Sequence, residues 1–262
     1  MKAYEIMNEL FSWAPGDYTK TCDTLKAGSP DKEVRRVAVC CFPEVNAIKA
    51  AAEWGADLFI THEPFYHDHW DKPPVSPAGL LKKELIEKTG MTVYRYHDHP
   101  HMAPSDLICE GELKALELKG TYKTRYAFGQ NQFILDEPVT ARELAKRIEE
   151  KLNIAHVRIS GTTDTPSTKL MLGWGAPGGV WEALTGDAEI VIVGETCEWQ
   201  MAEYARDASQ LGMNKTLLIL GHCGSERDGM KHISELLQKK IPSVEVRYFE
   251  SSEVYTYQDS IR

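Results

Sequence analysis

At 262 residues the chain is long enough for one large domain or two modest ones, and its 42% apolar and 26% charged residues are ordinary for a globular protein. A formal net charge of −9 gives no electrostatic reason to bind nucleic acid or an anionic membrane surface. No apolar run approaches the roughly 20 residues that span a bilayer. Glu5 and Glu9 also interrupt the stretch where a signal peptide would be apolar, so a cytoplasmic protein with no membrane partner is expected.

Taken in chain order, short apolar runs alternate with helical patterns, which predicts an α/β protein. Apolar spacing predicts a helix over Glu5–Trp13, a buried strand at Val37–Phe42 and an amphipathic helix over Glu44–Trp54 stopped by Gly55. A strand at Asp57–Thr61, a helix at Leu80–Lys88 closed by Gly90, and a strand at Met91–Tyr96 follow. Near Leu118–Lys123 the pattern resets. Arg125–Leu135 alternates like one strand, and Thr140-Ala-Arg-Glu143 is a capping box opening a helix to about Leu152. Further strands are expected at His156–Ser160, Lys169–Leu172, Glu189–Val193, Thr216–Leu220 and Val244–Phe249, with helices at Glu198–Leu211 and Ser225–Lys239.

The six cysteines form no CxxC pair, which is the pattern of reduced thiols and not of a disulfide framework. The histidines are distributed differently. His62, His67, His69, His97, His99 and His101 fall within forty residues. Three apolar strands run into histidine: Asp57–Thr61 into His62, Met91–Tyr96 into His97, and Thr216–Leu220 through Gly221 into His222. Carboxyl ends of parallel strands line one edge of a sheet, where ligands bind. Around these strand ends lie Glu63, His101 four residues after His97, and Glu226 four residues after His222, with Ser225 placed to cap the last helix. Imidazole with carboxylate suits zinc, iron, manganese or nickel better than calcium. At least five such donors exceed the needs of one tetrahedral ion and would serve two ions bridged by a carboxylate. His67 and His69 read as solvated rim residues, and Cys223 as a packing residue.

These residues carry a family resemblance. Ala50–Pro64 (AAAEWGADLFITHEP), Val93–Pro104 (VYRYHDHPHMAP) and Gly221–Gly229 (GHCGSERDG) resemble three ordered motifs of the Nif-three-like dinuclear-metal-centre proteins, also known as GTP cyclohydrolase I type 2-like. The resemblance implies a Nif-three-like fold of two interleaved α/β domains with mixed sheets. Residues 1–119 with 214–262 would form the metal-binding domain and 120–213 an inserted second domain. It implies metal ligands at His62, Glu63, His101, His222 and Glu226, two divalent ions (zinc, iron, manganese or nickel) per subunit, and a homohexamer.

Two of these positions depart from the family pattern. Glu63 stands where the family has a second histidine, and His101 where it has aspartate. The two exchanges are opposite, so the set keeps its count of imidazoles and carboxylates and its formal charge. An intact but rearranged site is expected. His97 and His99 are the candidate catalytic groups, as a proton shuttle or as partners of a ligand.

One competing signal is set aside. Gly173-Trp-Gly-Ala-Pro-Gly178 satisfies GxGxxG with Glu195 about twenty residues on, but Pro177 interrupts it and the following helix is too short for a dinucleotide crossover. Glu195 itself would either orient a ligand or cap a helix. The function expected is metal-dependent hydrolysis of a small molecule, a purine nucleotide or phosphoester if the family label applies. The alternative is a non-catalytic protein of metal storage, delivery or regulation.

Overall fold

Short apolar strands, several of them followed by helices, organise the chain into two α/β units, each with one mixed sheet. The computed structural model describes residues 1–16, 19–127 and 130–258. The first unit comprises Met1–Ile108 and Gly229–Ser252, the second Cys109–Asp228 and Glu253–Arg262.

The first unit opens with α1 (Ala3–Ser12), then β1 (Leu25–Ala27), β2 (Arg36–Cys40), α2 (Val45–Glu53), β3 (Leu58–Thr61), α3 (Pro77–Thr89), β4 (Thr92–Arg95) and the one-turn α4 (Asp98–Met102). α3 shows how local chemistry sets its limits. Ser76 accepts from the Gly79 amide at its start, Pro77 fills the first turn, and Gly90 takes the left-handed conformation (φ 66°) that ends it. Phe59, Phe65, Ile48, Ile86 and Val93 pack together in the core of this unit.

The second unit contains α5 (Leu107–Leu116), most of which belongs here, then β5 (Gly120–Ala127), β6 (Gln130–Val139), α6 (Ala141–Leu152), β7 (Arg158–Gly161), β8 (Ser167–Gly173), α7 (Val180–Thr185), β9 (Ile190–Val193), α8 (Glu203–Gln210) and β10 (Thr216–Ile219). α9 (Arg227–Lys240) returns the chain to the first unit, which closes with β11 (Glu245–Tyr248). The first sheet has the order β1-β4-β3-β2-β11, parallel except for β1 against β4. The second has the order β5-β6-β8-β9-β10-β7, with parallel pairing only at β8–β9 and β9–β10. The capping box expected at Thr140 is present, its hydroxyl accepting from the Glu143 amide.

Several expectations need correction. β10 pairs with β9 and β7 and not with β3 or β4, so the three histidine-bearing strand ends belong to two sheets and not to one edge. The two compact units divide at 108/109 and 228/229, beside the expected domain limits of 119/120 and 213/214. The expected strand Arg125–Leu135 is divided between β5 and β6, which pair antiparallel. The expected helix Glu198–Leu211 begins with a π-helical turn at Glu198–Ala202. Ser225 caps no helix: it closes a 3-10 turn, Cys223–Ser225, ahead of α9. Among the described residues no helix is long and apolar enough to cross a membrane.

Candidate metal centre

In the first unit the parallel register of β3 and β4, with Thr61 opposite Arg95, sets the next residues side by side. His62 therefore lies beside Tyr96, and its Nδ1 is 3.1 Å from the Tyr96 carbonyl. One residue further, α4 brings His101 back under His97, their ring centroids 5.6 Å apart. The His62 ring lies 4.5 Å from that of His97 and 5.1 Å from that of His101. One ligand atom from each of the three rings lies within 4.8 Å of the others.

An oxygen holds each ring at the same position. Nδ1 of His62 faces the Tyr96 carbonyl, Nδ1 of His97 faces Asp98 Oδ1 at 2.9 Å, and Nδ1 of His101 faces Asp106 Oδ2 at 3.1 Å. A proton on each Nδ1 makes each Nε2 the nitrogen that carries the lone pair. That is the arrangement by which metal-ligating histidines are oriented and made more basic. Glu63 completes the group, its Oε1 lying 3.5 Å from His97 Nε2 and 3.9 Å from His62 Nε2. His62, Glu63 and His101 are buried, and His97 is nearly so. Burial and the neighbouring His62 ring hold His97 below the usual imidazole range, which keeps it neutral, as a metal ligand must be.

His97, expected as a proton shuttle or as the partner of a ligand, thus lies in the group of three rings that could hold an ion. His99 is turned elsewhere: its Nδ1 meets Asp23 Oδ2 at 2.6 Å and its ring packs on Phe11 and Tyr96. Asp23 gave no signal in the sequence, yet it anchors this segment. Its carboxylate accepts from the backbone amides of His97, Asp98 and His99 at 2.7, 2.8 and 2.9 Å. Burial works to raise the Asp23 carboxyl, but the His99 ring and the three amides outweigh it and hold it below the usual carboxylate range. A depressed carboxyl contributes stability that is fully present above the unfolded value, about pH 4, and is lost as pH falls through the folded one. Asp23→Asn is therefore expected to flatten the fall of unfolding free energy below about pH 4. Denaturant titrations across that range check this, and an unchanged acid limb would contradict it.

In the second unit, the 3-10 turn after β10 sets His222 over Glu226, with Nε2 3.3 Å from Glu226 Oε2. Glu195, expected either to orient a ligand or to cap a helix, lies with its Oε1 2.9 Å from His222 Nδ1. The Gly173–Gly178 loop, set aside as a nucleotide fingerprint, packs against this pair. The Gly175 amide donates to Ser225 Oγ at 2.9 Å, and Ser225 Oγ donates in turn to the His222 carbonyl at 2.7 Å. Gly175 has φ +67°, and a Cβ there would fall 2.2 Å from Glu226 Oε1 and 3.0 Å from His222 Nε2. Only glycine lets the loop approach the two donors this closely. His67 has left-handed backbone (φ 61°) in the exposed loop, and His69 lies with its ring 5.6 Å from that of His97.

A family model described as Duf34/NIF3 (NGG1p interacting factor 3) matches residues 1–254. A "GTP cyclohydrolase 1 type 2 homolog" of Clostridium perfringens is 25% identical, covering 97% of each chain. The fold matches Staphylococcus aureus protein SA1388 with a TM-score of 0.78 at 18% identity, over 98% of this chain and 99% of that one. It also matches a Bacillus cereus protein related to NIF3, with a TM-score of 0.78 at 14% identity and the same coverage.

Proposed function

Because the chain belongs to the Duf34/NIF3 family, we propose that it holds two divalent transition-metal ions and uses them to hydrolyse a small molecule. The observation that carries this reading is the matched fixing of His62, His97 and His101, each with an oxygen at Nδ1 and with one ligand atom of each ring within 4.8 Å of the others. The proposed ligands are His62, Glu63, His101, His222 and Glu226, with His97 as a further donor. The donor set fits such ions: imidazole and carboxylate with no thiolate, as zinc, iron, manganese and nickel accept.

Divalent ions bound there would supply Lewis acidity, able to acidify a water molecule and to polarise a carbonyl or phosphoryl oxygen. The chain's own residues do the positioning. Asp98, Asp106 and Glu195 fix ring orientation, and Glu63 brings negative charge against two imidazoles. The name carried by the Clostridium relative makes purine nucleotides the first substrates to try. The resemblance adds a homohexamer to the proposal, which sedimentation velocity reads directly.

The test compares metal-loaded and chelator-stripped protein on nucleotides, cyclic nucleotides, phosphoesters and amides. Turnover is expected from loaded protein, and its loss on stripping and in both His101→Ala and Glu226→Gln. Tightly held metal without turnover on the whole panel would reject hydrolysis and leave a metal-storage or delivery protein.

A further inference from the structure

The first unit contains a second set of donors beside the histidine group, with Asp98 common to both. One ligand atom from each of Cys22, His69 and Asp98 lies within 4.8 Å of the other two. The three come from segments far apart in the sequence. The Cys22 amide donates to Asp98 Oδ2 at 3.1 Å, and the Thr21 hydroxyl donates to the same oxygen at 2.8 Å. That leaves the Cys22 thiol against Asp98 Oδ1, at 3.4 Å. His69 sits in a surface loop that is tied down along its length. Arg95 donates to the His69 carbonyl, Asp68 accepts from the Trp70 and Lys72 amides, and Asp71 accepts from those of Phe65 and Tyr66. The His69 ring meets Trp70 and His97 edge-on and is exposed, so an ion could arrive from solvent and keep a water ligand.

We propose that Cys22, His69 and Asp98 form a further divalent-metal site, of a class that favours zinc over manganese or magnesium. The thiolate sets that preference, because sulfur selects softer ions than imidazole and carboxylate do. Charge favours it as well. A divalent ion with one thiolate, one carboxylate and a neutral imidazole is electrically neutral, which suits a place where Cys22 is buried and Asp98 largely so. On binding, the thiol proton leaves to solvent and a metal–sulfur bond takes its place, with no change of oxidation state. Asp98 also holds His97 Nδ1, so an ion here would draw on the carboxylate that orients a donor of the histidine group.

The site rests on its own donors and not on the hydrolytic reading. Its test is titration of the chelator-stripped full chain with cobalt(II), since the sulfur-to-cobalt charge-transfer band arises from no imidazole or carboxylate ligand. One equivalent of that band per chain is expected, absent in Cys22→Ser and retained in His101→Ala. His69→Ala, at an exposed position that leaves the fold intact, is expected to weaken the cobalt affinity that the band reports at least ~10-fold. Absence of the band in the parent protein, its persistence in Cys22→Ser, or unchanged affinity in His69→Ala would overturn the proposal.

Discussion

Replacing Arg95 by methionine is expected to cost about 3–5 kcal/mol of stability, as removing one partner of a buried ion pair does. Arg95 lies in β4 with no solvent exposure. Its Nε donates to the His62 carbonyl at 2.9 Å and its Nη1 to the His69 carbonyl. The guanidinium also faces two buried carboxylates, Asp71 at 3.7 Å and Glu63 at 4.0 Å. Methionine fills much of the volume, but it withdraws positive charge from both acids and releases both carbonyls. Asp71 keeps Lys26 at 3.2 Å, so Glu63 is where the electrostatic loss concentrates. Arg95→Lys should be intermediate, keeping charge but losing the planar fork that reaches both carbonyls. Urea unfolding measures the series. A methionine variant within about 0.5 kcal/mol of the parent, the range of a neutral surface change, would contradict this role.

Gly175→Ala is expected to cut metal affinity by about 10–100-fold, the range seen when groups that orient a metal ligand are disturbed. Two effects act together. The backbone at φ +67° costs alanine about 1 kcal/mol or more of strain. The added methyl also displaces the Glu226 carboxylate, 2.2 Å from the new Cβ, and crowds His222 Nε2 at 3.0 Å. A carboxylate at the end of a flexible side chain can move aside, so most of the damage falls on ligand geometry and less on folding. Calorimetric titration with zinc reads the affinity, and thermal unfolding reads the fold. Unchanged affinity with a large loss of stability would show that the loop supports only the fold.

Much of the architecture was legible because its causes are local. The capping box at Thr140 and the glycine stop after Thr89 depend on neighbours a few residues away. His62 and the His97–His101 pair could be placed together because strand ends and a four-residue spacing need little long-range information. What was not legible depends on distant partners. Asp23 acts on residues more than seventy positions away, and nothing in Thr21-Cys-Asp-Thr24 marks it. Arg95 reads as a lone charge inside an apolar strand, its purpose visible only once the His62 and His69 carbonyls lie beside it. β10 (TLLI) is as apolar as β3 (LFIT) of the first sheet, so its pairing with β7 and β9 could not be read from its residues. The Gly173–Gly178 loop carried a pattern associated with nucleotides, while its observed contact is with Glu226 and His222.

Metal content of the protein purified without chelator, measured by inductively coupled plasma mass spectrometry, bears most directly on the proposed centre. Two divalent transition-metal ions per chain are expected at the proposed centre, a count best taken in Cys22→Ser so that the cysteine site adds nothing. That content should fall to a small fraction in His62→Ala/His101→Ala and in His222→Ala, with folded circular-dichroism spectra retained. A folded parent protein that takes up no transition metal even after loading, or variants that keep the parent's full content, would contradict the assignment of these residues as ligands.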